Sequence, residues 1–233
     1  MTESNSAQNS TERDEPPSSS TGFRNKFYKE TSDKDWNDWK WQIKNRITTR
    51  KELERFINLN EDERKAFENN NSIRFSVTPY YTQLVLKSDA IRKCVIPTIQ
   101  ETIVSEYESE DPLCEEETNP VKCIVHRYPD RVLFLTTDFC SSKCRYCTRS
   151  RIIDNDNNFH NKVNWQQAID YIKQDNKIRD VVISGGDPLT LSNSDLRFIL
   201  DQLYDIEHVD IIRLGTKIPV VMPQRIDKEL IYT

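Results

Sequence analysis

Three cysteines are the residues of this sequence best suited to chemistry. Cys140, Cys144 and Cys147 lie within eight residues, in the spacing C-x3-C-x2-C. In a reducing compartment, clustered thiols favour metal binding or catalysis over disulfide formation. Three thiolates can hold a metal ion with one further ligand, or an iron–sulfur cluster with one iron left open. The spacing therefore predicts a metal centre and leaves its kind to be decided.

A zinc site would need a fourth ligand from elsewhere in the chain. Cys94, Cys114 and Cys123 have no C-x2-C partner, and the histidines nearest to the cysteine stretch are His126 and His160. A structural zinc ion normally has four protein ligands. Either histidine could supply the fourth, so a zinc-stabilised interaction module is one open alternative.

Strands and helices must position these cysteines, and the second half of the chain predicts both. Continuous apolar runs predict strands, and apolar residues at helical spacing predict helices between them. The strands are predicted at 131–138, 179–186 and 209–216, and the helices at 163–175 and 191–206. Fully apolar strands that alternate with helices are typical of parallel sheets covered by helices. The sequence therefore predicts an α/β fold.

The glycines fall where these predicted strands end. Only four occur, and Gly185, Gly186 and Gly215 follow the second and third strands, as the cysteines follow the first. The carboxyl ends of parallel strands meet at one edge, which is where ligands bind in such folds. Glycine allows a ligand to approach the backbone closely. We therefore predict a ligand site at this edge.

The first half of the chain has a different character. Residues 1–30 are rich in Ser, Thr, Asn, Pro and Glu, which predicts a disordered tail. A helical N-terminal region is predicted over 31–125, and the strand-rich region over 126–233. In the helical region, Ser32 is the predicted N-cap of a helix whose core face carries the residues Trp36, Trp39, Ile43 and Ile47. Short helices are predicted at 51–58 and 61–69, and prolines predict irregular structure over 73–130.

Composition argues against several classes of protein. The 233 residues carry a net charge of -5, which argues against a general nucleic-acid binder. No run of about 18 apolar residues exists, so no membrane span is predicted. The N-terminus lacks the apolar core of a secretory signal and is too acidic for a transit peptide. We therefore expect a cytoplasmic protein.

The cysteine spacing, placed after a predicted first strand, resembles the signature of radical S-adenosylmethionine enzymes. In that family three cysteines hold a [4Fe–4S] cluster whose open iron binds the amino and carboxylate groups of S-adenosylmethionine. Reduction then releases a 5′-deoxyadenosyl radical. The resemblance implies that Cys140, Cys144 and Cys147 are the cluster ligands. It also implies contacts with S-adenosylmethionine by the residues Tyr146, Gly185, Gly186 and Asp187.

Five further motifs narrow the resemblance to the lysine 2,3-aminomutase family. They are "DWNDWKWQIKNRI", "DPLCEEETNPV", "HRYPDRVLFLTTDFC", "CRYCTRSR" and "PVVMPQRI", and the likeness spans about residues 33–233. Enzymes of this family move an amino group from the α-carbon to the β-carbon of an amino acid. Pyridoxal phosphate holds the amino group, and the adenosyl radical removes the β-hydrogen. The implied fold is a partial radical SAM (β/α) barrel with about three strand–helix units.

Individual residues carry over from these motifs. Arg149 matches the arginine that pairs with the substrate carboxylate, and a bidentate Arg–carboxylate pair fits that role. Arg127, Tyr128 and Arg131 match residues that line the pyridoxal phosphate pocket. The alternatives are a basic flank of an anionic cluster for Arg149, and ordinary surface charges for the other two arginines. Lys217 does not match the lysine that binds pyridoxal phosphate, which the family pattern places later. We therefore expect a fragment, a truncated gene model or half of a split protein.

The resemblance also implies partners and rival functions. We expect a small amino acid substrate, a reductant such as flavodoxin or ferredoxin, and a homo-oligomer in the full-length family. Conversion of L-lysine to β-lysine is the leading hypothesis. Its alternatives are a glutamate 2,3-aminomutase, a relative that modifies protein-bound lysine, the zinc-binding module, and a degenerate family member without catalytic activity.

Overall fold

The structure is a computed structural model that describes residues 20–68, 74–155 and 159–233. Its strands are β1 (Ile124–Tyr128), β2 (Arg131–Thr137), β3 (Asp180–Gly185) and β4 (Ile211–Leu214). Its helices are α1 (Ser20–Phe27), α2 (Asp33–Trp36), α3 (Trp39–Lys44), α4 (Arg50–Leu53), α5 (Glu61–Glu68), α6 (Pro79–Val85), α7 (Asp89–Val95), α8 (Lys162–Gln174), α9 (Asn193–Tyr204), α10 (Ile218–Val221) and α11 (Lys228–Ile231). None of the helices in these ranges is both long and apolar enough to cross a membrane.

The four strands form one sheet in the order β1-β2-β3-β4. β2, β3 and β4 are parallel, with α8 and α9 between them along the chain. This confirms the predicted α/β fold, and all three predicted strands form. β1 pairs with β2 in the antiparallel direction. The prediction of irregular structure over 73–130 is wrong for β1, α6 and α7, because hairpin pairing and N-terminal caps order segments that lie between the prolines.

The apolar strand residues face the two long helices. Val132 and Phe134 of β2 and Val181 and Ile183 of β3 are completely buried, and they join the core formed with α8 and α9. Trp165 of α8 donates from its indole nitrogen to the carbonyl of Thr136, at 3.1 Å. Such buried area is the main source of stability in a fold of this size. The same core also includes Leu135, which lies on the other face of β2, and side chains of the helical N-terminal region.

The N-terminal tail is shorter than the sequence predicts. Residues 1–19 lie outside the described residues, whereas the stretch from Ser20 to Phe27 forms α1. Phe23 is buried, and its ring lies 5.6 Å from that of Phe56 and 6.0 Å from that of Tyr28, between ring centroids. The prediction of disorder is therefore wrong for residues 20–30, because three aromatic side chains give this polar segment a core to pack on.

The tryptophan-rich segment forms two helices instead of one. Ser32 caps α2 as predicted, accepting from the backbone nitrogen of Asp35 at 3.0 Å. Asp38 then caps α3, accepting from Lys40, so the chain turns between the two helices. An aspartate that can bond a nearby backbone nitrogen favours a new helix start over continuation. The break divides the predicted core face: Trp36 is buried against Tyr28 and Trp41, whereas Ile47 joins the main core and Trp39 and Ile43 pack against it.

Candidate metal and cofactor site

The three cysteines line one cavity at the carboxyl end of β2. Cys140, Cys144 and Cys147 are half-buried, unpaired thiols, and all three border a cavity of about 390 Å³. Arg74, Lys143 and Arg151 also line this cavity, together with one acid, Glu110. A cavity with three thiols and positive side chains suits an anionic thiolate-bound centre.

The helical region holds the cysteine loop in place by three backbone contacts. Arg46 donates from its guanidinium to the carbonyl of Cys140 at 2.8 Å. The amide of Lys143 donates to Ser76 at 2.9 Å, and the amide of Arg145 donates to Cys94 at 3.0 Å. These partners are distant in sequence, so no local pattern predicts them. The loop is therefore supported by the N-terminal region as well as by the sheet.

Gly185 and Gly186 hold the other side of the loop. A Cβ atom on Gly186 would lie 2.2 Å from the carbonyl oxygen of Phe139, and one on Gly185 would lie 2.2 Å from that of Thr137. Gly185 also has a φ of 127°, a conformation that favours glycine. The close approach at these glycines is therefore to the cysteine loop. The sequence argument predicted an approach to a ligand, and the backbone of the loop occupies that space.

Asp187 joins the ends of β3 and β4. Its buried carboxylate accepts from the Thr216 hydroxyl at 2.6 Å and from the Lys217 backbone nitrogen at 2.8 Å. Burial raises the pKa of Asp187, although these hydrogen bonds oppose the rise. The residue that the sequence predicted beside the cofactor thus organises the loop that follows β4.

Tyr146 and Lys217 meet beside the second cysteine. The Lys217 ammonium donates to the Tyr146 hydroxyl at 2.8 Å and contacts the Cys144 sulfur at 3.1 Å. Tyr146 has 64% of its surface exposed, so its ring is accessible from solvent. Burial lowers the pKa of Lys217, but the contacts with Tyr146 and Cys144 outweigh it, and the pKa is raised. The sequence analysis gave Lys217 no role, because only the fold brings it to the cysteine loop.

Arg149 already holds a carboxylate from this chain. Its Nε donates to Glu115 at 2.8 Å, and its Nη2 lies 2.7 Å from the same carboxylate. Glu115 is buried, and Arg151 lies 3.7 Å from its second oxygen. The geometry is the two-point pairing that was predicted for a substrate carboxylate. Glu115 therefore engages the guanidinium that the resemblance assigns to a substrate carboxylate.

Arg127, Tyr128 and Arg131 lie at the opposite end of β2 from the cysteines. β2 is seven residues long, so its two ends are about 20 Å apart. Arg131 donates to Asp180 at 2.7 Å, and Arg127 donates to the Leu113 carbonyl at 2.7 Å. Both arginines therefore have partners within the chain. The structure does not bring this group together with the thiols.

The donor set suits an iron–sulfur cluster better than a single zinc ion. His126 is bound to the Tyr171 hydroxyl at 2.7 Å, and His160 stacks on Trp165, so neither faces the thiol cavity. In the described part of the chain, no three His, Cys, Asp or Glu side chains converge as they would around one ion. A four-iron cluster binds each thiolate through a different iron, so its ligands surround a cavity, as these three do.

The electrostatics of the thiols are set by burial. Burial raises the pKa of Cys140 and of Cys147, and neighbouring negative groups add to the rise at Cys140. Burial thus favours the protonated thiols over free thiolates at both positions. Binding of iron would displace these protons, which makes loading of the site depend on pH.

Comparison with known families and proteins agrees with this arrangement. Residues 134–230 match the Radical SAM superfamily. The matched range begins within β2 and includes the cysteine loop, both glycines and Lys217. The site is therefore contained in the matched region, and Arg127, Tyr128 and Arg131 lie before it.

Three relatives illustrate the similarity over most of the chain. The L-lysine 2,3-aminomutase of Clostridium subterminale is 43% identical over 89% of this chain, and that of Methanococcus maripaludis is 45% identical over 84%. The glutamate 2,3-aminomutase of Clostridioides difficile is 43% identical over 85%. The aligned regions make up 51%, 47% and 48% of these proteins, respectively. The chain thus spans about half the length of the relatives it matches.

Proposed function

We propose that this chain is part of an amino acid 2,3-aminomutase. It is similar to the L-lysine and glutamate 2,3-aminomutases, and residues within it match the Radical SAM superfamily. Its reaction is an isomerisation that moves an amino group to the neighbouring carbon. The observation that carries the proposal is the cavity bordered by three half-buried thiols at the carboxyl edge of a parallel sheet. That edge is where α/β folds bind cofactors.

Different residues of the site would contact the cluster, S-adenosylmethionine and the loops around them. Cys140, Cys144 and Cys147 would hold a [4Fe–4S] cluster, which supplies the electron that cleaves bound S-adenosylmethionine. Gly185 and Gly186 seat the cysteine loop against the sheet. Tyr146 offers an accessible aromatic ring to the adenine, and Asp187 fixes the loop after β4. These protein groups orient and shield, and the cofactors perform the chemistry.

The proposal includes pyridoxal phosphate as a second cofactor, on the basis of the sequence resemblance. The residues that the resemblance assigns to it do not lie at the thiol edge. Arg131 is bound to Asp180, and Arg127 and Tyr128 lie at the far end of β2. Arg127, Tyr128 and Arg131 are therefore proposed for this cofactor on the sequence resemblance alone.

L-lysine is the proposed substrate, and glutamate is the second candidate because a glutamate enzyme is as similar as the lysine enzymes. Arg149 would bind the α-carboxylate that both amino acids share. We further propose that the protein is cytoplasmic and forms a homo-oligomer. Its reductant would be a flavodoxin or a ferredoxin. Product analysis with each amino acid separates the two substrates.

Replacement of Cys144 by alanine tests the site. The chain is reconstituted anaerobically with iron and sulfide, reduced in the presence of S-adenosylmethionine, and assayed for 5′-deoxyadenosine. We expect the wild-type chain to form this product and Cys144→Ala to lose it, because two thiolates hold the cluster poorly. Cys114→Ala, at an exposed thiol, is the control and should keep the product.

Two results would contradict the proposal. Unchanged 5′-deoxyadenosine in Cys144→Ala would remove that residue from the ligand set. Tight stoichiometric zinc with no cluster in the wild-type chain would favour the zinc-binding module instead.

A further inference from the structure

We infer that Lys217 is a positioning residue that stabilises the reduced iron–sulfur cluster through Cys144. The inference rests on the proposed function and adds a role that the cysteine motif does not contain. Lys217 is 70 residues or more from all three cysteines in sequence, and the fold places its ammonium 3.1 Å from the Cys144 sulfur.

The backbone of Lys217 is fixed by a buried group. Its amide nitrogen donates to one carboxylate oxygen of Asp187, and the hydroxyl of Thr216 donates to the other. Asp187 is itself held to the cysteine loop, since its amide donates to the Phe139 carbonyl at 2.9 Å. The starting point of the lysine side chain is therefore tied to the loop that carries the thiols.

The side chain of Lys217 is guided by two aromatic rings. The ammonium lies 5.0 Å from the centroid of the Tyr146 ring and 5.8 Å from that of the Tyr81 ring. Rings at these distances attract a cation and leave it few other positions. With the 2.8 Å hydrogen bond to the Tyr146 hydroxyl, they direct the charge to Cys144.

The Lys217 ammonium contacts no carboxylate in the part of the chain that the structure describes. Asp187 uses both carboxylate oxygens on Thr216 and on the Lys217 backbone, and no ion pair of the Lys217 ammonium with an Asp or Glu is found in the described ranges. An ammonium against a metal-bound sulfur therefore acts mainly on the charge of the cluster.

A fixed positive charge changes the reduction equilibrium of a cluster. The oxidised cluster takes one electron from a low-potential donor and becomes more negative by one unit. A cation at hydrogen-bonding distance stabilises the more negative state more strongly, so it raises the reduction potential. Removal of the cation should make the cluster harder to reduce.

The test is a reduction titration of the reconstituted full chain, followed by electron paramagnetic resonance without substrate or S-adenosylmethionine. The variants are Lys217→Met, which removes the charge, and Lys217→Arg, which keeps it. Lys173→Met, at an exposed position on α8, changes the net charge equally and is the matched control. Iron and sulfide per chain are measured for every variant.

We expect Lys217→Met to lower the equilibrium constant for reduction about tenfold, which equals about 59 mV for one electron. Lys217→Arg should stay near the wild-type potential, and Lys173→Met should match it. Loss of iron in Lys217→Met with retention in Lys217→Arg would also support the inference, because the charge would then be what the site requires.

Other outcomes would overturn it. A wild-type potential in Lys217→Met at full iron content would show that the ammonium does not act on the cluster. Equal loss of iron in Lys217→Met and Lys217→Arg would assign Lys217 a purely structural role. Either result would contradict the role of Lys217 but not the proposed function. A wild-type chain that assembles no cluster would contradict both the role of Lys217 and the proposed function.

Discussion

At the scale of single residues, the pair of Arg149 and Glu115 is the most informative contact. An arginine suited to a substrate carboxylate holds an internal one, with two-point geometry. Arg151 lies within reach of the same glutamate and also contacts Asp111 and Glu116. A substrate carboxylate would therefore exchange with Glu115, which has a second arginine nearby to receive it. Under the proposed function, two carboxylates would compete for one guanidinium.

Glu115→Gln should strengthen substrate binding. Glutamine has the same size but lacks the charge, and a hydrogen bond to a charged group contributes about 1.5–3 kcal/mol. We expect L-lysine or L-glutamate to bind the reconstituted chain about tenfold more tightly or better in this variant, as measured by calorimetry. Glu117→Gln, at an exposed acid two residues away, is the control. Equal affinity in Glu115→Gln and the wild-type chain would show that Glu115 does not compete.

At the scale of elements, the end of β3 and the loop after β2 form one unit. The amides of Gly186 and Asp187 donate to Thr137 and Phe139, at 2.6 Å and 2.9 Å. The loop is thus held by backbone contacts on its sheet side, in addition to those from the helical region. Its cysteines have fixed starting points before any metal arrives, which is the preorganisation that a cofactor site requires.

Gly186→Ala should disrupt this unit. Its Cβ would lie 2.2 Å from a backbone oxygen, and backbone cannot move aside as a flexible side chain can. We expect a loss of about 1–3 kcal/mol in stability and less than half of the wild-type iron per chain. Gly22→Ala, where nothing lies within 4 Å, is the matched control and should retain both. Full iron content in Gly186→Ala would contradict this account of the glycine.

The elements also show how far the sequence could predict the site. β2, β3, β4, α8 and α9 carry strong apolar patterns, and all of them form within a few residues of the predicted ranges. The break between α2 and α3 was missed because an aspartate cap outweighed the apolar spacing. The contacts of Arg46, Lys217 and Glu115 with the cysteine loop were also missed. They join residues 34 to 94 positions apart, and such pairings leave no local trace in a single sequence.

At the scale of the whole molecule, an aromatic cluster joins α1 to the helical region. Phe23 contacts Phe27, Tyr28 and Phe56, with ring centroids 5.0 to 6.0 Å apart. Tyr28 in turn lies 5.4 Å from Trp36. The segment before residue 30 therefore contributes to the same folded unit as the elements that support the cysteine loop.

Phe23→Ala should destabilise the chain as a whole. The ring is 8% exposed, and its removal leaves a cavity that costs about 3 kcal/mol. For a domain of this size we expect the midpoint of thermal unfolding to fall by about 6–12 °C, as followed by circular dichroism. Tyr204→Ala removes a ring that is 83% exposed and should change the midpoint little. Equal midpoints in Phe23→Ala and Tyr204→Ala would argue that α1 is not part of the core.

The three backbone contacts from the helical region to the cysteine loop show that the sheet alone does not support the loop. A minimal protein cut just before β1 would keep every strand of the sheet and all three thiols. It would lose Arg46, Ser76 and Cys94, and with them the partners of Cys140, Lys143 and Arg145. The sheet and the helical region are therefore not interchangeable parts, and a redesign that grafts the cysteine loop onto another barrel must transplant its supports as well.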